Sequence, residues 1–268
     1  MGIAHILTLL GTGVGVGFAS GLLGVGGGFI MTPVQYMVFI DMGLSADMAT
    51  RLAFGTSLLV ILPTVISGAW RHHKRGAVLW KAAIIMGGSS FIAAFGGATL
   101  ATYLPGTTLK IVFGAVVLAA GVWMLVRRPL KSEAEPKNNP WLWIVWAVPI
   151  GIMTGLTGLG GGIVVVPVMM LALKFRMHNA VATSLAMIIF TSAGGVIGYI
   201  VNGLGVAGLP DYSIGYVNLR VWLLLIVTSI GMAQVGALVA HRLPARQLRW
   251  IFIALQFYMG LRMLGVFS

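Results

Sequence analysis

The sequence predicts an all-α protein that crosses a membrane several times, built from two inverted copies of one unit. Three observations carry this. The chain is 59% hydrophobic and 8% charged, whereas a soluble domain carries about 25% charged residues. Residues 20–33, SGLLGVGGGFIMTP, and 154–167, TGLTGLGGGIVVVP, share seven of fourteen positions, and each string interrupts an apolar stretch. Basic loops in one half stand where the other half has none.

Apolar segments run over 3–23, 28–40, 49–69, 77–100, 107–126, 142–158, 163–173, 180–201, 217–240 and 245–266. The first and sixth end at a glycine string, and the second and seventh begin there. Those two followers give helices of only about 16–20 Å at 1.5 Å per residue, too short for a hydrocarbon core of about 30 Å. Each string therefore reads as the tip of a hairpin that returns to its own side. The third and eighth segments share Thr56-Ser57-Leu58 and Thr183-Ser184-Leu185. The fifth and tenth follow matching Leu104-Pro105 and Leu243-Pro244. Each repeat is thus a glycine-tipped re-entrant hairpin plus three transmembrane helices. The first covers 1–126 and the second 141–268, with the polar stretch 127–140 as a cytoplasmic linker. Trp141, Trp143 and Trp146 beside the linker read as an interfacial belt.

Charge argues for inversion. Arg71, Lys74 and Arg75 follow the third segment, while the matching loop 202–216 has no basic residue. Lys174, Arg176 and His178 stand where the first copy has Asp41 and Asp47. With hairpins and inverted copies, 13 of the 17 Lys and Arg fall on one side and 4 on the other. With single crossings and parallel copies the split is 10 against 7, so the positive-inside rule favours the first arrangement. Both termini then face out. Residues 1–10 contain no Lys or Arg, so the first apolar stretch is expected to stay in the mature protein.

Matched glycine clusters inside apolar spans point to a transporter binding site. Helices starting at Gly28 and Gly162 would aim unpartnered N–H groups and the positive end of the dipole at the membrane interior. Glycines leave those groups uncovered, so an anion can approach. Candidate binding residues are Gly26, Gly27, Gly28, Gly160, Gly161 and Gly162, with hydroxyls from Thr56, Ser57, Thr183 and Ser184. The competing readings are close packing through small residues and hydroxyls bonded back to their own helix. Arg51 and His178 align with one another and are gate candidates, against simple snorkelling. The net charge of +12 fits both basic cytoplasmic loops and attraction of an anion.

The five acids, Asp41, Asp47, Glu133, Glu135 and Asp211, read as loop residues, so no intramembrane carboxylate serves as proton relay or cation site. There is no cysteine. A catalytic pairing of Ser57 with His72 or His73 is disfavoured, because those histidines fall in a basic loop. No enzyme activity, metal or cofactor is expected. The expected partners are a small anionic substrate and the lipid bilayer, not nucleic acid, and the class leaves room for a homo-oligomer.

The two glycine strings and the two TSL strings resemble the TauE/SafE family of sulfite exporters, bacterial membrane permeases, over nearly the whole chain. The resemblance implies transport of a small sulfur-containing or organic anion across the bacterial cytoplasmic membrane. With the central glycine site, the expected mechanism is alternating access and the expected direction export. A passive anion channel and a membrane scaffold or sensor are the rival classes.

Overall fold

The computed structural model describes residues 1–23, 26–126, 138–239 and 245–266. The helices are α1 (Ile3–Leu23), α2 (Gly28–Asp41), α3 (Ala46–His73), α4 (Trp80–Tyr103), α5 (Gly106–Val126), α6 (Pro140–Thr157), α7 (Gly162–Leu171), α8 (Met177–Gly203), α9 (Leu219–Val239) and α10 (Ala245–Met263). Seven of the described helices are long and apolar enough to cross a membrane. A two-stranded hairpin, β1 (Ser213–Ile214) with β2 (Val217–Asn218), interrupts the otherwise all-α order.

Helix ends follow local chemistry. The Ser45 hydroxyl accepts from Met48 N–H at the start of α3, and Arg71, His72 and His73 occupy its last turn, where cations suit the dipole. Asn139 caps α6, whose first residue is Pro140. Helix α6 thus starts at Pro140, beside the expected boundary at 141, and residues 127–137 of the expected linker lie outside the described residues. Asp41 and Asp47 are helix residues rather than loop residues. Asp41 closes α2, and Asp47, in the first turn of α3, accepts from the Gly106 N–H that opens α5 at 2.6 Å. Of the expected tryptophan belt, Trp141 is exposed, but Trp143 is buried against the core.

The two halves pack through reciprocal contacts. Gly17 and Gly21 of α1 meet the backbone of Ser229 and Ala233 on α9, and the matching Gly151 and Gly155 of α6 meet Ser90 and Ala94 on α4. Gly68 of α3 meets Leu185 of α8, while Gly195 of α8 meets Leu58 of α3, so these equivalent helices run antiparallel. Gly121 of α5 meets Phe257 of α10 as Gly260 of α10 meets Leu118 of α5. Each contact maps onto its partner when the halves are exchanged. Helices in lipid gain little by hiding apolar surface from one another, so close backbone approach at small residues drives their association. Polar bonds add to it: Ser90 to Thr191 at 2.6 Å, Asn202 to Thr99 at 2.9 Å, and Gln234 to Ser67 at 2.6 Å. The outer faces carry large apolar groups, such as Ile92 at 73% and Val227 at 66% exposure.

Contacts also sort the helix ends. Arg51 donates to the Leu104 carbonyl, Lys110 to Tyr36, and Asn218 N–H to Thr56, which gathers the starts of α3, α5 and α9 with the end of α4. His5 lies 3.9 Å from Asp41, so α1 begins where α2 ends. At the other end Asn179 reaches the Ala77 carbonyl, joining the start of α8 to the α3–α4 loop. Among the described residues, that second end bears Arg71, Lys74, Arg75, Lys81, Lys174 and Arg176. The first bears Arg51, Lys110, Arg220 and Arg262 with Asp41, Asp47 and Asp211.

A Cβ added at Gly155 would overlap the backbone of α4 at Ala94, Gly97 and Ala98. Gly155→Leu is therefore expected to lower the thermal midpoint in detergent sharply, and Gly21→Leu to do the same at the reciprocal contact. Gly11→Leu, where the neighbourhood is open, should leave it unchanged. Equal midpoints for all three would remove the packing role.

Candidate functional site

Both glycine turns are built alike. Gly26 and Gly27 have φ of 78° and 71°, and Gly160 and Gly161 of 73° and 77°. This left-handed region is open to glycine and strained for residues that carry a Cβ. The Gly27 carbonyl accepts from Ile30 and Met31, and the Gly161 carbonyl from Val164 and Val165. Glycine begins each following helix, so side chains do not cover the first helical N–H groups, which lack intrahelical partners. Pro33 and Pro167 lie inside these short helices.

The turns meet halfway along α3. A Cβ on Gly28 would stand 2.8 Å from the Leu159 carbonyl oxygen. Ile61, the sixteenth of 28 residues in α3, lies against Gly26, Gly28 and Gly160, and it is fully buried. The expected glycines 26–28 and 160–162 are thus brought together, closed from solvent, with an isoleucine wedged between them.

The Thr-Ser pairs divide. Thr56 accepts from Asn218 N–H at 2.9 Å, just before α9, and Thr183 accepts from Leu79 N–H at 3.1 Å, just before α4. These are reciprocal contacts, each holding the start of the fourth helix of the other half. Ser184 bonds back to the Val181 carbonyl. Ser57 instead meets Thr32 at 2.8 Å and Gln35 at 3.2 Å, both on α2 and both fully buried. Arg51 is tied to the Leu104 carbonyl and lies over the Tyr216 ring at 5.7 Å. The side chain of His178 lies outside the described residues.

Sequence reading missed a second set. Among the described residues, the buried side-chain atoms without a hydrogen-bond partner are Gln35 Oε1, Arg51 Nε, Thr154 Oγ1, Ser192 Oγ, and both amide atoms of Gln256. A buried polar group without a partner costs about 1–3 kcal/mol. Three of these residues sit at the depth of the glycine turns. Thr154 Oγ1 lies 2.6 Å from where a Cβ on Gly161 would be. Ser192 lies one turn before Gly195 on the face of α8 that meets α3, which sets it level with Ile61. Asp47 meets Gly106 and Phe54 stacks on Phe113, so α3 and α5 run in step, and Gly121 comes level with Leu62. Gln256 packs its Cβ against Gly121. Ser192 and Gln256 lie in apolar runs with no period or motif to read, and Thr154 opens the second glycine string at one of the positions where the two strings differ, which is why these escaped notice. No group of three His, Asp or Glu among the described residues could hold a metal.

The model of the sulfite exporter TauE/SafE family matches residues 9–263. A probable membrane transporter protein of Methanocaldococcus jannaschii is 32% identical over 253 residues, covering 93% of this chain and 91% of its own. One of Haemophilus influenzae is 28% identical over 246 residues, covering 91% and 92%. The Bacillus subtilis probable membrane transporter YdhB is 26% identical over 194 residues, covering 70% and 76%. No solved structure matches the chain.

The reciprocal threonine contacts carry a stability prediction. Thr56→Val orphans the buried Asn218 N–H and should cost about 1–3 kcal/mol, and Thr183→Val, which frees the half-buried Leu79 N–H, should cost less. Ser184→Ala, which removes only a bond within its own helix, should be nearly neutral. Thermal unfolding in detergent reads all three, and a loss only in Ser184→Ala would contradict the assignment.

Proposed function

Because the chain belongs to the sulfite exporter TauE/SafE family, we propose that its transport cargo is a small anion, held where the two glycine turns meet. The protein is a multi-pass membrane transporter. The observation that carries the anion reading is the meeting of two helix starts at mid-depth beside an unpartnered, buried threonine hydroxyl. Both starts direct the positive end of a helix at one point. Thr154 adds a hydroxyl that an oxyanion would satisfy. No carboxylate lies at this depth among the described residues, so nothing there repels the anion.

The antiparallel pairing of α3 with α8, and of α5 with α10, supports two repeats inverted across the bilayer. In that frame the end bearing Arg71, Lys74, Arg75, Lys174 and Arg176 is cytoplasmic. The hairpin α1–α2 enters from outside and α6–α7 from inside. Ile61 closes the centre, and access alternates as the halves rock about it. Arg51 stands at the outer mouth, where its charge draws anions inward. Export across the bacterial cytoplasmic membrane fits the family.

Two measurements test this. In this cysteine-free chain, Asp211→Cys should react with an impermeant thiol reagent outside intact cells and Lys74→Cys should not. Equal outside labelling of both would sink the orientation. Sulfite binding by calorimetry should be lost in folded Gly161→Val. It should weaken in Thr154→Ala by about 1.5–3 kcal/mol, the range for hydrogen bonds to charged groups. Normal affinity in both variants would move the site elsewhere. Trans-stimulated exchange in proteoliposomes would mark a carrier, and its absence a channel.

A further inference from the structure

The two glycine turns have unequal surroundings, and the inequality bears on what the protein carries. Around α2 stand Thr32, Gln35 and Ser57, with Gln256 on α10, a helix that packs against both α2 and α5. The positions that correspond around α7 are Val166, Met169, Ser184 and Val117. A duplicated site for a bare inorganic anion has no use for this difference. At three of these four positions the first half has a polar side chain where the second has an apolar one, and only the serine is kept in both.

The polar set around α2 is also incomplete. Gln35 and Gln256 are both fully buried. The Gln35 amide gives its N–H to Ser57 and leaves Oε1 without a donor, while Gln256 leaves Oε1 and Nε2 both unpaired. For Gln256 the deficit stands whichever way its amide is turned, since both ends lack a partner. Glutamine at mid-depth in a membrane bundle is costly unless something supplies both a donor and an acceptor. Gln256 lies level with the turns, and Gln35 is on α2 two turns beyond Gly27. Side chains on a helix lean toward its N-terminus, so the Gln35 amide leans back toward Gly27.

We propose that the cargo is a small organic anion bearing a hydroxyl or amide substituent, and that Gln35 and Gln256 recognise this substituent while the glycine turns hold the charge. A hydroxyl both donates and accepts, which is the pairing Gln256 lacks. An anion with only acceptor oxygens satisfies Nε2 and leaves both amide carbonyls unpaired. The inference rests on the anion reading of the central site, and it adds the second recognition element.

The test uses two probes that differ by one hydroxyl, ethanesulfonate and 2-hydroxyethanesulfonate, titrated into purified full-length protein by calorimetry. Wild type should bind the hydroxylated probe about tenfold more tightly, as one added hydrogen bond at a buried site allows. Gln256→Leu and Gln35→Leu should each shrink that ratio, and the double variant should bring it to one, while ethanesulfonate still binds. Retained ethanesulfonate binding also reports that the variants are folded. Gln256→Glu, which adds a charge at the same place, should weaken both probes. Equal affinity of wild type for the two probes would overturn the inference and leave the anion site standing. So would a ratio that persists in the double variant. Binding of neither probe by folded wild type would overturn the anion site and this inference with it.

Discussion

Backbone contact at glycine is the constraint on which the rest of this structure depends. In a bilayer, burying apolar side chains against one another gains little over leaving them in lipid. The helices instead close to backbone distance at Gly17, Gly21, Gly151 and Gly155, and at Gly68, Gly195, Gly121 and Gly260. Each of these has an equivalent in the other half that makes the equivalent contact. That reciprocity accords with the proposed pair of inverted repeats. It brings the two glycine turns together at the centre.

The same residue type acts differently at the tips. At 26–27 and 160–161 the backbone is left-handed, and here glycine permits a turn rather than a contact. Those turns halt one helix and start another in the middle of the molecule, where non-helical backbone is tolerated only when it lies in protein or lines a cavity. The halted chains bring helix starts to a place that holds no carboxylate among the described residues, next to hydroxyl and amide groups without partners. A bundle optimised only for packing would fill those positions with apolar side chains. The unpaired groups therefore cost stability, which accords with the binding site proposed there.

Much of this was legible in the chain. Composition set the membrane class, the duplicated GxGGG strings located the turns, and the exchange of basic loops pointed to opposed halves. The membrane class and the turns are legible because lipid imposes length and hydropathy directly on sequence, and because duplication repeats its signature at a readable interval. The resemblance at the glycine and TSL strings matched the family model over residues 9–263. At the TSL strings the structure shows a role that was not read from the sequence. Thr56 and Thr183 hold the helix starts of the opposite half, a contact 162 residues distant in one case and 104 in the other.

Tertiary structure alone decided which polar residues face the centre. Ser192 and Gln256 sit in ordinary apolar runs and Thr154 at an unshared position of a glycine string, and their burial follows from the register of one helix against another. That register is set by where a glycine admits a neighbouring backbone, and so depends on residues far away in the chain. Ile61 is equally plain in sequence, one apolar residue in a helix full of them. It becomes the central wedge only because both glycine turns arrive at its level. The chain alone determined that there would be two glycine turns at matched places in a membrane. Packing determined that they meet, and which side chains they meet among, because meeting is a property of helix pairs rather than of any single segment.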